Sequence, residues 1–328
     1  MSFNLLEFSK GGGCGCKIEP QKLRSILEGV SSKHQDNVLV DFSGSDDAAV
    51  IDLGGEQCLI QTTDFFLPVV SDPFDFGRIA ACNALSDVYA MGGKPLTALS
   101  ILGWPVEKIP LEVAKEVIRG AVSICHEAGI SISGGHSIET ADPIFGLSVS
   151  GLVEKSQLKR NNSCKPGDSI YITKPLGLGL LANGVKTGAI TEGGYAQLIG
   201  YATQLNKIGV ELGSRNDVTA MTDITGFGLL GHLTEMLGED KGAILQLDAI
   251  PVIEEARELA GKMMYPNITT SNYNFIKDRC KGLNGLEFLW LCDPQTSGGL
   301  MFTSSEKYDL PACFRIGEVA EGRQIEIV

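Results

Sequence analysis

The sequence lacks the features of a nucleic-acid-binding, membrane-spanning or secreted protein. Its 27 Lys and Arg are outnumbered by 40 Asp and Glu, which gives a formal net charge of −13, whereas a nucleic-acid surface needs clustered basic residues. No apolar run approaches the roughly 18 residues that a membrane-spanning helix needs. The N-terminus has neither the basic start nor the apolar core of a secretory signal. We therefore expect a cytoplasmic protein with no nucleic-acid or membrane partner.

Cysteine and histidine are too few and too irregularly spaced for a disulfide framework or a structural zinc site. The 9 cysteines are an odd number, and the chain has only 4 histidines. A chain of 328 residues buries a core large enough to fold without disulfides, and zinc would need Cys or His at regular spacings. Cys82, Cys125, Cys292 and His232 are therefore interpreted as structural residues.

The apolar patterns predict two domains of α+β content, since about 150 residues per domain is typical. The predicted strands are Ala48–Leu53, Gln57–Thr63, Leu96–Leu102, Ile130–Ser133, Ile144–Val153 and Ser169–Thr173. The predicted helices are Pro73–Met91, one that begins near Pro110, Tyr195–Leu212, Phe227–Leu237 and Ile253–Leu259. A polar stretch at 154–167 marks the connection. We expect a flexible glycine-rich segment at 1–18, an N-terminal domain at 19–155 and a C-terminal α+β domain at 156–328.

The first candidate for chemistry is the stretch Gly13-Cys14-Gly15-Cys16-Lys17. A thiolate is the nucleophilic form of cysteine, and a neighbouring ammonium favours it over the thiol. The flanking glycines let the backbone approach a phosphate closely, and Lys17 can bind phosphate as a point charge. The alternative is a disordered tail whose two thiols bind metal adventitiously.

The second candidate is a group of aspartates embedded in apolar or turn sequence, namely Asp46, Asp47, Asp64, Asp87 and Asp223. Asp87 and Asn83 lie four residues apart, on one face of a predicted apolar helix. A buried carboxylate is costly unless it is paired or bound to a cation, and Mg²⁺ commonly bridges one or two carboxylates to substrate phosphates. The aspartates thus point to a Mg²⁺–polyphosphate site. The alternative is that Asp46 and Asp64 are turn residues and that Asp87 pairs with Arg78.

The third candidate is Ser133-Gly134-Gly135-His136-Ser137, directly after an apolar strand. Glycines at such a position expose backbone N–H groups, which can cradle phosphate oxygens. The spacing matches neither a Walker A loop nor the dinucleotide fingerprint. An ordinary loop therefore remains the alternative.

Taken together and in this order, these segments resemble selenophosphate synthetase along nearly the whole chain. The matching segments are GCGCK (13–17), DDAAV (46–50), TTDFF (62–66), FDFGRIA (74–80), NALSDVYAMGGKP (83–95), GGHSI (134–138), PIFGL (143–147), TKPLG (173–177), TDITGFGLLGHL (222–233) and CDPQTSGG (292–299). The resemblance implies a two-domain α+β fold like that of aminoimidazole ribonucleotide synthetase. It also implies an N-terminal domain that pairs across a homodimer to form a β-barrel.

The resemblance implies roles for individual residues as well. It makes Cys14 the catalytic cysteine, Lys17 a catalytic and phosphate-binding residue, and Cys16 dispensable. The implied Mg²⁺ ligands are Asp47, Asp87 and Asp223. The implied ATP contacts are Lys17, Asp64, Asp87, Gly135, His136 and Ser137. Gly44-Ser45 depart from the family pattern, in which a bulkier and often basic residue is expected, so their own contacts stay open.

The implied reaction makes selenophosphate, AMP and phosphate from ATP, selenide and water. The expected ligands are therefore ATP, selenide and Mg²⁺, and the expected assembly is a homodimer. Three alternatives remain open: a superfamily ATP-dependent kinase or ligase with a carbon-based substrate, a non-catalytic nucleotide-binding regulator, and a thiol-based metal or selenium carrier. Phosphorus products separate the first of these from a dikinase, because such a kinase releases ADP.

Overall fold

The chain forms two sheets that are joined through a shared helix. The computed structural model describes residues 3–8, 12, 22, 25–26, 29, 35–41, 46–308 and 310–328. Within these residues one sheet has six strands and the other has seven, and helices pack against both. In the same residues, no helix combines the length and the apolar character that crossing a bilayer requires.

The first sheet is built from the N-terminal half of the chain. Its strands and helices are β1 (Val38–Val40), β2 (Ala49–Asp52), β3 (Gln57–Phe66), α1 (Pro73–Ala90), β4 (Lys94–Trp104), α2 (Leu111–Glu127), β5 (Ile132–Glu139) and β6 (Ile144–Glu154). The strand order is β1–β2–β3–β6–β4–β5, and every neighbouring pair is antiparallel except β4–β5. Helix α1 packs against β3, β4, β6 and α2. The other face of the sheet exposes Phe65, Leu99 and Ile138.

Helix α1 is buried on nearly all sides. The Asp72 side chain caps its first turn and Pro73 occupies the first helical position, as both residue types favour. One face of the helix packs on the first sheet and another packs on the second half of the chain. Over residues 76–90, only Arg78 and Asp87 are not buried. Asn83 and Ser86 of α1 therefore lie inside the molecule at the boundary of the two halves, and Asp87 is half-buried beside them.

The second sheet is built from the C-terminal half. Its elements are β7 (Ser169–Ile172), α3 (Leu178–Thr187), α4 (Glu192–Ala202), α5 (Ile208–Gly213), β8 (Val218–Asp223), α6 (Gly228–Leu237), β9 (Lys241–Leu245), α7 (Glu254–Gly261), α8 (Asn267–Ile276), β10 (Cys280–Lys281), α9 (Phe288–Leu291), β11 (Leu300–Ser304), β12 (Phe314–Glu321) and β13 (Ile325–Ile327). The strand order is β10–β13–β9–β12–β7–β11–β8. Strand β8 is thus an edge strand, and α1 packs against it.

The two halves share both apolar and polar contacts at the end of α1. A buried cluster joins Ala90 of α1 to Tyr171, Met221 and Phe302 of the second sheet. The rings of Tyr171 and Phe302 stack with centroids 4.9 Å apart. The halves therefore form one packed body rather than two tethered ones.

Two predicted elements differ in the structure. The single helix predicted over Tyr195–Leu212 is wrong, because α4 ends at Ala202 and α5 begins at Ile208. Between them, the side-chain amide of Asn206 donates to Ser86 Oγ at 2.8 Å and to the Gly298 carbonyl at 3.0 Å. A helix through this segment would not place Asn206 between those two partners.

The loop considered for residues 133–137 is also wrong, because the segment lies within strand β5. Its residues pair in parallel with β4, with Gly135 opposite Ser100 and His136 opposite Ile101. The glycine at 135 is needed for this pairing, since a Cβ there would collide with the backbone and side chain of Ser100. The stretch is therefore an extended edge strand and not a turn.

Candidate active site

The site begins with two pairs of polar side chains between β3 and α1. Thr62 Oγ1 donates to Asp87 Oδ2 at 2.5 Å, and Asn83 Nδ2 donates to Asp64 Oδ2. Two strand residues advance about 6.7 Å and four helical residues about 6 Å, so the spacings match. The strand and the helix run in opposite directions, which lets the two pairs form side by side. The alternative pairing of Asp87 with Arg78 is wrong, since Arg78 binds Asp75 at 3.2 Å.

Asp47 brings the loop before β2 to the end of β8. Its Oδ1 accepts a hydrogen bond of 2.8 Å from Thr222 Oγ1, and Thr222 is adjacent to Asp223. Asp46 is held separately: its Oδ1 accepts from the Asn161 N–H at 2.9 Å, and Arg160 lies 3.6 Å from its Oδ2. Asp46 is thus a structural anchor, while Asp47 faces the site.

The electrostatics around Asp47 favour a bound cation. Burial raises the pKa of the Asp47 carboxyl well above its usual range, and the negative charges of Asp223, Asp87 and Asp46 raise it further. The Asp47 Oδ2 atom is buried without a hydrogen-bond partner. Like charges gathered in a desolvated site are unfavourable unless a proton or a metal ion compensates them.

The same residues fit Mg²⁺ in one particular way. Among the described residues, no three His, Cys, Asp or Glu side chains lie close enough together to hold an ion on their own. Mg²⁺ rarely uses such a cage and is usually bound through one or two carboxylates plus substrate phosphates and water. Asp47, Asp87 and Asp223, which interact across the domain boundary, suit ions of that kind.

The structure adds site residues that the sequence analysis missed. The Ser297 N–H donates to Asn83 Oδ1 at 2.8 Å. The second domain therefore positions Asn83, and Asn83 positions Asp64. Thr62 and Thr222 position Asp87 and Asp47 through their hydroxyl groups. Their only sequence signal is proximity, because Thr62 precedes Asp64 by two residues and Thr222 precedes Asp223.

Gly135, His136 and Ser137 lie apart from this cluster within one chain. They are on β5, three strands away from β3 in the sheet order. At about 4.8 Å per strand, that separation is about 14 Å. The three residues are exposed on the same edge of the sheet as Ile138. Within one chain, then, the structure joins Asp64, Asp87, Asp47 and Asp223 but not these three.

The remaining candidates divide into core residues and residues outside the described part of the chain. Cys14, Cys16, Lys17, Gly44 and Ser45 lie outside the described residues. Cys82, Cys125 and Cys292 are buried, and burial raises the pKa of the Cys125 thiol to about 11. His232 is buried between Thr225 Oγ1 and Glu235 Oε2, each 3.2 Å from a ring nitrogen. These cysteines and this histidine are structural, as predicted.

Comparison with known proteins identifies the family. The model of the AIR synthase related protein N-terminal domain matches residues 45–153, and that of the C-terminal domain matches residues 165–328. A selenide, water dikinase of Aeromonas hydrophila is 47% identical over 303 residues, which cover 92% of this chain and 88% of the relative. The chain belongs to the selenide, water dikinase family. A second family member, from Yersinia pseudotuberculosis, is 46% identical over 92% of this chain and 87% of its own.

The fold is shared with proteins outside this family. The thiamine monophosphate kinase of Aquifex aeolicus is 19% identical, has a TM-score of 0.68, and aligns over 94% of this chain and 96% of its own. A hydrogenase maturation protein in complex with ATP is also 19% identical, has a TM-score of 0.60, and covers 98% of this chain and 93% of its own. At this identity the likeness shows the fold, which confirms the two α+β domains of this chain.

Proposed function

We propose that this chain makes selenophosphate, AMP and phosphate from ATP, selenide and water. The observation that carries the proposal is the convergence of Asp47, Asp87 and Asp223, from two domains, in a chain 47% identical to a selenide, water dikinase. A partly buried group of carboxylates suits a metal-bound polyphosphate. An acidic protein with a net charge of −13 would otherwise repel such a substrate.

In this proposal Asp47, Asp87 and Asp223 hold Mg²⁺. Bound Mg²⁺ supplies charge neutralisation to the triphosphate and Lewis-acid polarisation of its oxygens. The protein's part is to keep the carboxylates oriented: Thr222 fixes one oxygen of Asp47, and Thr62 fixes one oxygen of Asp87. This leaves the second oxygen of Asp47, which is buried without a hydrogen-bond partner, for an ion.

In the proposal, ATP contacts come from the interior of the first sheet, at β3 and α1, and from its edge strand β5. Asp64, oriented by Asn83, and Asp87 serve the nucleotide in one protomer. Gly135, His136 and Ser137 lie on an exposed edge strand beside the apolar residues Leu99 and Ile138. We infer that this face meets a second copy of the chain, that the two sheets close a β-barrel, and that these three residues contact ATP at that homodimer interface.

The reaction breaks both phosphoanhydride bonds of ATP. One phosphoryl group forms a P–Se bond with selenide, and water cleaves the other anhydride to give phosphate and leave AMP. Phosphoryl transfer depends chiefly on positioning and charge stabilisation. In the proposal Lys17 binds phosphate and Cys14 handles the selenium. The cysteines that the structure describes carry no disulfide, which suits the reducing cytoplasm that we propose as the location.

Phosphorus NMR of a reaction with ATP and selenide tests the function. We expect AMP, phosphate and selenophosphate in equal amounts; ADP as the nucleotide product would instead indicate a superfamily kinase. Cys14→Ser is expected to abolish selenide-dependent AMP formation while ATP binding persists. Cys16→Ser is the matched control and should retain activity. Full activity of Cys14→Ser would remove Cys14 from the mechanism.

A further inference from the structure

The turn at residues 295–299 forms hydrogen bonds beside two proposed site residues from different domains, Asp64 and Asp223. On one side the Ser297 N–H donates to Asn83 Oδ1, and Asn83 holds Asp64. On the other side the Gly299 carbonyl accepts a hydrogen bond of 2.8 Å from the Ile224 N–H. Ile224 directly follows Asp223. The position of this turn therefore governs where Asp64 and Asp223 lie relative to each other.

The turn has a conformation that its own sequence does not favour. Ser297 is fully buried and has a φ of 58°, a left-handed geometry that a residue with a Cβ avoids. The next residue is constrained too, because a Cβ at Gly298 would collide with the Ile224 carbonyl. Such a conformation persists only where the surrounding contacts impose it. Some neighbouring group must therefore hold the turn in place.

Besides the Asn206 amide, which donates to the Gly298 carbonyl, Lys174 holds the turn in place. Its side chain is 2% exposed, and its ammonium donates to the Ser297 carbonyl at 2.9 Å and to the Gln204 carbonyl at 2.7 Å. Gly299 lets the main chain of Lys174 lie close to the turn, since a Cβ at position 299 would lie 2.5 Å from the main-chain nitrogen of Lys174. Burial lowers the pKa of the Lys174 ammonium, and the negative charge of Asp223 opposes that shift. A desolvated ammonium must satisfy its donors, so it keeps both carbonyls in place.

We propose that Lys174 is a positioning residue for the dikinase reaction. Through the 295–299 turn it fixes Asp64 and Asp223, which belong to different domains, at the separation that Mg²⁺ and ATP require. Lys174 contacts neither Mg²⁺ nor the nucleotide in the proposal and acts through Ser297. The inference rests on the proposed function for its ATP site. It gives a role to the segments TKPLG (173–177) and CDPQTSGG (292–299).

Lys159 provides a matched control on the same chain. It is 7% exposed and also donates to two carbonyls, those of Arg215 at 2.7 Å and Val218 at 2.9 Å. None of its partners belongs to the 295–299 turn. The two lysines thus share burial and bonding, and they differ in whether the turn depends on them.

The test compares Lys174→Met with Lys159→Met in the full-length protein. We expect Lys174→Met to weaken Mg²⁺–ATP binding, measured by calorimetry, by at least about tenfold, since small misplacements of a site are that costly. The KM for ATP and the half-saturating Mg²⁺ concentration should rise with it. Lys159→Met should lower the melting temperature similarly and leave binding within about twofold. Equal losses of binding in both variants would overturn the proposal.

Hydrogen exchange gives a second readout that needs no nucleotide. We expect the Ser297 amide to exchange faster in Lys174→Met than in the wild type, and to be unchanged in Lys159→Met. Unchanged exchange at Ser297 in the first variant would overturn the proposal. If Lys174→Met does not fold, Lys174→Gln retains part of the donor group and is measured in its place. Absence of selenophosphate from the wild type would refute the proposed function alone.

Discussion

The polar residues of the site are held mainly by hydroxyl and amide groups rather than by basic side chains. Thr222 binds Asp47, Thr62 binds Asp87 and Asn83 binds Asp64. A neutral donor orients a carboxylate without cancelling its charge. A lysine or arginine in the same place would lower the demand for a cation. The arrangement therefore keeps the affinity for metal ions while fixing the geometry of each ligand.

Asp87→Asn tests this arrangement at the residue scale. We expect it to weaken Mg²⁺-dependent ATP binding by more than about 100-fold, which exceeds the usual effect of changing an outer-shell partner. The measurement is calorimetric titration of ATP at several Mg²⁺ concentrations. Asp75→Asn, on the first turn of the same helix, is the control and should bind ATP normally. Unchanged binding by Asp87→Asn would exclude it as a metal ligand.

The residues themselves could be predicted only in part. Asn83 and Asp87 were placeable because a four-residue spacing on an apolar helix fixes a shared face. The partners Thr222 and Ser297 were not, since they lie 175 and 214 residues from Asp47 and Asn83. Threonine and serine are common in strands and turns. Only the packing of the two domains gives these particular ones a role.

At the scale of elements, the close contact between α1 and α2 depends on two glycines. A Cβ at Gly77 would collide with the Val117 carbonyl, and one at Gly120 would collide with the Phe74 carbonyl. At these two positions the backbones of the two helices are therefore in direct contact. That approach lets α1 lie flat against the first sheet while its other faces contact the second domain.

Gly120→Ala is accordingly expected to lower the free energy of unfolding by about 1–3 kcal/mol, as overpacking does. The control is Gly200→Ala, also within a helix but with no atom within 4 Å of the added Cβ. That variant should gain about 0.5–1 kcal/mol from the better helix propensity of alanine. Urea unfolding of both variants gives the values. A stabilised Gly120→Ala would show that α1 and α2 are not in such close contact.

The first turn of α3 is held by buried side chains from the 292–299 segment. Asp293 Oδ2 accepts from the N–H groups of Gly179 at 2.9 Å and Leu180 at 3.1 Å. Gln295 Oε1 accepts from those of Gly177 and Leu178, each at 3.1 Å. Even so, burial raises the pKa of the Asp293 carboxyl well above its ordinary value. The cap is therefore unfavourable in its charged form.

This cap predicts a pH dependence. A carboxyl with a raised pKa binds its proton more tightly in the folded state than in the unfolded state. The stability that it costs is therefore zero below the unfolded pKa of about 4, and it grows as pH rises from there to the folded pKa. We expect the stability of Asp293→Asn relative to the wild type to increase from pH 5 to pH 8. Chemical unfolding across that range measures it. A difference that stays constant with pH would contradict the shift.

Elements were predicted well where local pattern decides them. The strand at Gln57–Thr63 and the helix at Pro73–Met91 are observed at Gln57–Phe66 and Pro73–Ala90. The failures occurred where tertiary contacts override local preference. Asn206 interrupts a predicted helix to bridge Ser86 and Gly298. The glycines of β5 are typical of a loop, although they pair with β4.

At the scale of the whole molecule, the uncovered face of the first sheet is the proposed dimer interface. Ile138→Glu would bury an unpaired carboxylate there, which costs several kcal/mol. We therefore expect the dissociation constant of the dimer to rise by at least about 100-fold. Leu111→Glu is the control, because Leu111 is 63% exposed and lies on α2, away from that face. Analytical ultracentrifugation measures the dimer dissociation constant of both variants, and calorimetry measures their ATP binding. A stable Ile138→Glu dimer would place the interface elsewhere.

The burial of α1 between both domains has a consequence for the order of synthesis. Residues 73–90 leave the ribosome well before residues 169–328, which complete their surroundings. At about 5–20 residues per second, the delay is on the order of 10–50 s. During that interval the side of α1 that later meets β8, α4 and α5 has no partner. The helix that carries Asn83 and Asp87 thus has an apolar surface that stays uncovered in the nascent chain, where a chaperone could bind it.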